Sequence, residues 1–153
     1  MSTQKKTTPD VLSASQSWAL LRTSVVGRLA LSVGDQPEIF PVNYLVDHGS
    51  IIFRTAEGTK LAASIGRRVA FEVDAYDPSS GEAWSVVVKG IAREVTQLHE
   101  VLDALDSTLF PWHAAPKPRI LRIEPSHVEG RRFDLAPEAG RPQARPLRHA
   151  AAE

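Results

Sequence analysis

Hydrophobic and polar residues alternate along most of this chain, and a period of two marks half-buried β-strands. In Arg28 to Val33, Leu29, Leu31 and Val33 share one face. Gly34-Asp35 then supplies a turn, Ile39 to Val46 a second strand, Asp47-His48-Gly49 a second turn, and Ser50 to Thr55 a third strand. Turns this short leave no room for crossover helices, so the strands form an antiparallel meander rather than a parallel α/β sheet. Val69, Phe71 and Val73 alternate with Ala70, Glu72 and Asp74 in a fourth strand. After Asp77-Pro78-Ser79-Ser80-Gly81 a long fifth strand runs from Ala83 to Thr96. Ile120 to Ile123 reads as a last strand, with His127 to Phe133 as a candidate extension.

Helical spacing is confined to short stretches. Asp10 or Ser13 can cap a helix through about Leu21, along which Leu12, Trp18, Leu21 and Val25 give a rough apolar stripe. A helix from Thr59 to Ile65 places Leu61 and Ile65 on one face, and Leu98, Val101, Leu102 and Leu105 fit i, i+3, i+4, i+7 spacing. Pro111 to Pro118 reads as an irregular loop carrying Trp112 and His113. Polar residues 1–10 are expected to form a flexible arm, residues 11–135 one domain, and the Pro-, Arg- and Ala-rich residues 136–153 a disordered tail. Six or more strands with a few short helices suit a closed antiparallel barrel, which leaves no exposed edge.

Composition narrows the function. The 153 residues are 42% apolar and 24% charged, ordinary for a globular domain. Lys+Arg and Asp+Glu balance at 18 each, which argues against a general nucleic-acid or membrane-surface binder. There is no cysteine, so disulfides, thiolate catalysis and Cys-based metal sites are excluded. No apolar leader or membrane-length run is visible, and a cytoplasmic location is the expectation.

One junction concentrates chemistry. The strand Ile51-Ile52-Phe53-Arg54-Thr55 runs into Ala56-Glu57-Gly58-Thr59-Lys60-Leu61, where a glycine bend opens a short helix. A guanidinium, two hydroxyls, an ammonium and helix N-terminal N–H groups gather there, the parts needed to hold a phosphate. The spacing is not that of a Walker loop. The structural alternative is that Thr59 only caps the helix and Lys60 is a solvated charge. Phe40-Pro41-Val42-Asn43-Tyr44 places a proline inside a strand and Asn43 on the face of Pro41 and Leu45, where backbone groups and an amide could read a planar heterocycle. A barrel-edge proline beside an internally bonded Asn43 accounts for the same residues. In Trp84-Ser85-Val86-Val87-Val88-Lys89-Gly90, Ser85, Val87 and Lys89 share one face and Trp84, Val86 and Val88 the other. Ser85 and Lys89 could meet a ligand there, or that face could simply be solvated.

The remaining groups offer little. Five histidines lie at no metal-ligand spacing, no serine sits in a nucleophile elbow, and Glu72 with Asp74 reads as a solvated pair. No catalytic residue is assigned and no metal is expected. With no convincing nucleophile or acid–base pair of its own, an enzyme of this sequence needs a cofactor for its chemistry.

Taken together, several segments resemble the flavin-binding split-barrel family related to pyridoxamine 5′-phosphate oxidase, in its small bacterial branch. They are Gly27-Arg28-Leu29-Ala30, Pro37 to Tyr44, Ile52 to Leu61, Val69 to Asp74 and Trp84 to Gly90, in matching order across roughly Ser15 to Phe133. The resemblance implies a mainly β, six-stranded Greek-key split barrel that forms a homodimer with FMN at the subunit interface. Carried onto this chain, Arg54, Thr55, Thr59 and Lys60 hold the FMN phosphate, and Pro41, Val42 and Asn43 line the isoalloxazine ring. Trp84 and Ser85 lie near that ring, and Trp112 or His113 could close one site from the neighbouring subunit. The implied activity is an FMN-dependent oxidoreductase of a small organic substrate. Relatives in the superfamily bind a deazaflavin coenzyme or haem instead, so a deazaflavin-dependent reductase, with Arg67 and Arg68 as extra contacts, and a non-catalytic flavin or haem binder are the alternatives. Beyond Gly130-Arg131-Arg132-Phe133 the chain has no recognisable segment for a substrate phosphate, so vitamin-B6 oxidase activity itself is not implied.

Overall fold

Seven antiparallel strands carry the alternating pattern: β1 (Asp10–Leu12), β2 (Val26–Val33), β3 (Gln36–Asp47), β4 (Ser50–Ala56), β5 (Arg68–Tyr76), β6 (Glu82–Glu94) and β7 (Pro118–Asp134). The computed structural model describes residues 9–56, 58–97, 99 and 118–135. Helix α1 (Ala14–Leu21) follows β1, and a 3-10 helix (Lys60–Ser64) follows β4. The expected helix over Leu98 to Leu105, Trp112 and His113, and nearly all of the two terminal segments lie outside the described residues.

The strand order is β1-β7-β4-β3-β2-β5-β6, and β7 also pairs with β6, which closes the ring. After the β2-β3-β4 meander, β5 returns beside β2, the Greek-key arrangement. Six strands close the barrel, but the sheet has seven strands rather than the six expected. The seventh, β1, pairs Asp10, Val11 and Leu12 with Arg132, Arg131 and Gly130 of β7. Three residues are too few to show a period, so Asp10 read as the end of an arm rather than part of a strand. The cap expected at Asp10 or Ser13 falls at Ser13: its Oγ accepts from Gln16 N at 3.1 Å and its N donates to Gln16 Oε1 at 2.9 Å.

The sequence also divided β7 in two. Pro125 cannot donate to a ladder, yet the strand continues because β6 and β7 shift register at Lys89/Gly90. A Cβ at Gly90 would lie 2.0 Å from the Glu124 carbonyl oxygen, so only glycine allows this approach.

One feature of the ladder positions the site. β3 and β4 pair only from Tyr44/Phe53 to Asp47/Ser50. Beyond that point β4 runs on beside β7, from Arg54/Ile120 to Ala56/Pro118, while β3 continues beside β2. The two strands part, and from Gln36 to Val42 the far edge of β3 has no strand partner among the described residues. This is where the barrel splits.

The interior is filled. Phe53, Phe71, Leu29, Leu21, Val86 and Val88 are fully buried. Tyr44 meets Phe71 edge-on at 4.9 Å between ring centroids, and its hydroxyl donates to the Leu21 carbonyl, tying α1 to the core. Burial pushes the Tyr44 phenol up to about 12, despite an opposing bond with Ser24, so it stays protonated. Chemistry is therefore left to the split and the outer face.

Candidate functional site

The end of β4 is built by strict alternation. Ile51 and Phe53 enter the core, whereas Ile52 packs with Leu45, Val95 and Ile120 in a smaller cluster, so Arg54 lies on that outer side and Thr55 on the inner one. Thr55 is buried and Arg54 half-buried. The chain then reverses through Gly58 at φ +80°, a left-handed conformation natural to glycine. This returns Thr59 onto Thr55, with their hydroxyls 2.9 Å apart.

Thr59 is the N-cap of the 3-10 helix, and its Oγ1 accepts from Ala62 N at 3.2 Å. The expected helix over Thr59 to Ile65 is thus a five-residue 3-10 turn. Its macrodipole is small and the Ala62 N–H is already used, so an anion here must rely mainly on side chains. Lys60 crosses the split, placing its Nζ 3.0 Å from Glu38 Oε1 on β3. Thr59 caps the helix, as the structural alternative has it, while Lys60, 64% exposed, reaches across the split to a surface pair with Glu38.

On β3, Pro41 and Asn43 face outward, exposed and half-buried respectively, while the Val42 side chain is buried in the core. Only the Val42 backbone can meet a ligand. Pro41 pairs with Arg28, so it lies in a paired stretch of β3, and the edge expected for it is the far one, beside the split.

Trp84 and Ser85 are not brought to this place. Trp84 packs against the main core, whereas Ser85 faces outward between Asp74 of β5 and Arg131 of β7. β6 stands three strands from β3, roughly 14 Å at the usual inter-strand spacing.

Between them lies a charged group that sequence reasoning passed over. Arg28 Nη1 is 2.8 Å from Glu72 Oε1 and 3.5 Å from Asp74 Oδ2. Burial, and then neighbouring Asp74, push the Glu72 carboxyl above its ordinary range, with Arg28 opposing. Glu72 and Asp74 were legible as one strand face, but the pairing with Arg28 is 44 residues distant in sequence and had no local signal. Glu38, 22 residues from Lys60, was missed for the same reason. Among the described residues no group of three or more His, Cys, Asp or Glu could hold a metal ion, and no helix is long and apolar enough to cross a membrane.

A Greek-key barrel closed by β6–β7 and parted between β3 and β4 places the chain in the split-barrel class. The family described as pyridoxamine 5′-phosphate oxidase matches residues 13–132, and the chain belongs to that family. It is similar to the solved structure of the FAD binding protein from Mycobacterium smegmatis, with 39% identity, TM-score 0.72, and coverage of 81% of this chain and 99% of that one. A FAD-binding protein from Mesorhizobium loti is 26% identical, TM-score 0.68, covering 82% and 96%. An uncharacterized protein of Mycobacterium tuberculosis is 34% identical over 128 residues, 80% of this chain and 84% of its own length.

Proposed function

We propose that this protein binds a flavin and uses it as the redox centre of an oxidoreductase acting on a small organic molecule. The carrying observation is the convergence at the split: the Thr55–Thr59 hydroxyl pair and Lys60 lie on one side, facing the β3 edge on which Glu38 meets Lys60. The donor set fits a flavin. Hydroxyls, an ammonium and the Arg54 guanidinium suit a phosphate. The β3 edge, without a strand partner among the described residues, offers backbone groups for the rim of a planar ring, with Pro41 and Asn43 beside it.

In this reading Arg54, Thr55, Thr59 and Lys60 hold the phosphate, and Pro41, the Val42 backbone and Asn43 line the ring. Lys60 must turn from Glu38 to reach the phosphate. The bound flavin would supply hydride transfer, for which the chain shows no group of its own. Trp84 and Ser85 stand too far across the sheet to touch the same ring, so Ser85 contributes from a second copy and the working unit is a homodimer. Trp84 packs inward and supports that wall from behind. Arg131 pairs with Glu129 at 3.1 Å and Arg132 with Glu82 at 2.8 Å.

The resemblance implied FMN. The 39% identical relative is described as FAD binding, which favours FAD as the second reading; a deazaflavin coenzyme or haem is the remaining alternative. The experiment is mass spectrometry of the chromophore released from purified protein, together with the native mass of the complex. A flavin bound to a dimer is the expected result. Colourless protein that takes up neither FMN nor FAD refutes the reading, and a released deazaflavin or haem replaces it.

A further inference from the structure

Register orders the outward face between β3 and β6 into rows. Pro41 pairs with Arg28, Arg28 with Glu72 and Glu72 with Val87, so these side chains cross β3, β2, β5 and β6 in one line. The neighbouring row holds Asn43 paired with Val26 and Asp74 paired with Ser85. Leu29, Phe71 and Val73, their neighbours in sequence, fill the core, which leaves Arg28, Glu72 and Asp74 on the outer side. In one protomer Arg28 and Glu72 keep 53% and 35% of their side-chain surface in water, although they form an ion pair at 2.8 Å.

The flavin reading sets β6 of a second copy over β3 of the first. Two-fold symmetry then sets β6 of the first over β3 of the second. Both hold together only when the axis runs parallel to the strands, midway between β3 and β6, which is the seam between β2 and β5. Such an axis reverses the order of each row. Pro41 then lies over Val87 of the second copy, Asn43 over Ser85, and Arg28 over Glu72. Packed sheets stand roughly 10 Å apart, a gap that an arginine and a glutamate extended toward each other can span. One row further along, Ala30 pairs with Ala70, and such small side chains let two faces approach at the axis. An axis at right angles to the strands through the same row would set Arg28 over Arg28 and Glu72 over Glu72, which like charges oppose.

We propose that Arg28 and Glu72 are the charge-paired centre of a homodimer seam, Arg28 of each copy meeting Glu72 of the other across a two-fold axis between β2 and β5. The facing of β3 by β6 rests on the flavin reading; the pairing at the axis has its own test. Asp74, 3.5 Å from Arg28, flanks the pair and gives the same guanidinium a second carboxylate.

The test is native mass spectrometry of the full-length protein with R28E and E72R, apart and mixed, each with and without excess FMN or FAD. The parent is expected to dimerise. R28E sets carboxylate over carboxylate and E72R guanidinium over guanidinium, so each alone should dimerise about tenfold more weakly or worse. Mixed, the two restore both pairs across the axis, and a one-to-one heterodimer should form about tenfold more tightly than either homodimer. Homodimers of R28E and E72R as tight as the parent overturn the pairing, and so does the lack of a heterodimer when circular dichroism shows both chains folded. If charge reversal unfolds the chain, the milder R28Q and E72Q decide: dimers weakened about threefold or more support the seam, and unchanged ones overturn it. A parent that binds flavin as a monomer also overturns the seam and leaves the phosphate clamp standing. If the heterodimer forms as expected while no flavin is taken up by the parent, the flavin reading falls and the seam stands.

Discussion

Lys60 and Glu38 compete in a way that fixes the sign of two substitutions. Their contact of 3.0 Å joins a lysine side chain that is 64% exposed to a glutamate that is 25% exposed. Such a pair near the surface is worth about 0–1 kcal/mol. A charge-assisted contact with a flavin phosphate is worth about 1.5–3 kcal/mol. In Lys60→Ala the phosphate contact is lost, but no ion pair has to be broken first, so the net loss is about 1.5 kcal/mol, roughly tenfold in affinity. Glu38→Gln leaves the ammonium waiting for the phosphate and should tighten flavin binding by up to about 1 kcal/mol, roughly fivefold. With Lys60 gone the Glu38 carboxylate would still repel the phosphate, so the double variant should bind flavin at least as tightly as Lys60→Ala alone. Flavin fluorescence titrations at low ionic strength read all three, and the Glu38→Gln gain should shrink as salt screens the pair. If Glu38→Gln weakens binding as much as Lys60→Ala, Glu38 positions Lys60 and the competition is absent. If Lys60→Ala changes nothing, the phosphate end lies elsewhere.

Other consequences concern the frame. In Gly90→Ala the new Cβ meets a backbone oxygen of Glu124 at 2.0 Å, so the β6–β7 ladder must shift, at about 1–3 kcal/mol or more; a denaturation midpoint within about 0.5 kcal/mol of the parent contradicts the close approach. Tyr44→Phe strips the buried Leu21 carbonyl of its donor and should cost about 0.5–1.5 kcal/mol, seen as a lower unfolding temperature; an unchanged one means the bond contributes nothing net. Burial pushes the Asp47 carboxyl up, but bonds from His48 and Arg122 outweigh it and hold it below its ordinary value. A folded-state value below the unfolded one adds stability above the unfolded value, lost as pH falls through the folded one. Asp47→Asn should therefore melt earlier than the parent near neutral pH and alike in acid; an equal deficit at both refutes the linkage.

How far the chain could be read depended on the range of the interaction concerned. Leu29, Leu31, Val69, Phe71 and Val73 declared their faces because burial on one side of a sheet writes a period of two into adjacent residues. The Thr55–Thr59 contact was legible as well, since a glycine bend joins residues four apart. Glu38 with Lys60, and Arg28 with Glu72, were not, because register brings them together over 22 and 44 residues and each alone looks like a solvated charge. Trp84 and Ser85 were brought near one ring only by the family resemblance. Adjacency in a strand sends them to opposite faces instead.

That opposition has a consequence for where a cofactor can sit. The barrel interior is packed by Phe53, Phe71 and Tyr44, as small closed barrels must be, and leaves no room for a ring. Under the proposed reading a flavin would lie against the split and the outward residues of β3, where one sheet covers only one of its faces. A planar ring left half in water would lose its apolar contact area, and the developing charge would be screened. On that reading the second wall would come from outside the protomer, as a homodimer would supply it. Ser85 and the outward face of β6, too distant to reach the ring within one chain, are the part of this surface whose position such a wall would explain.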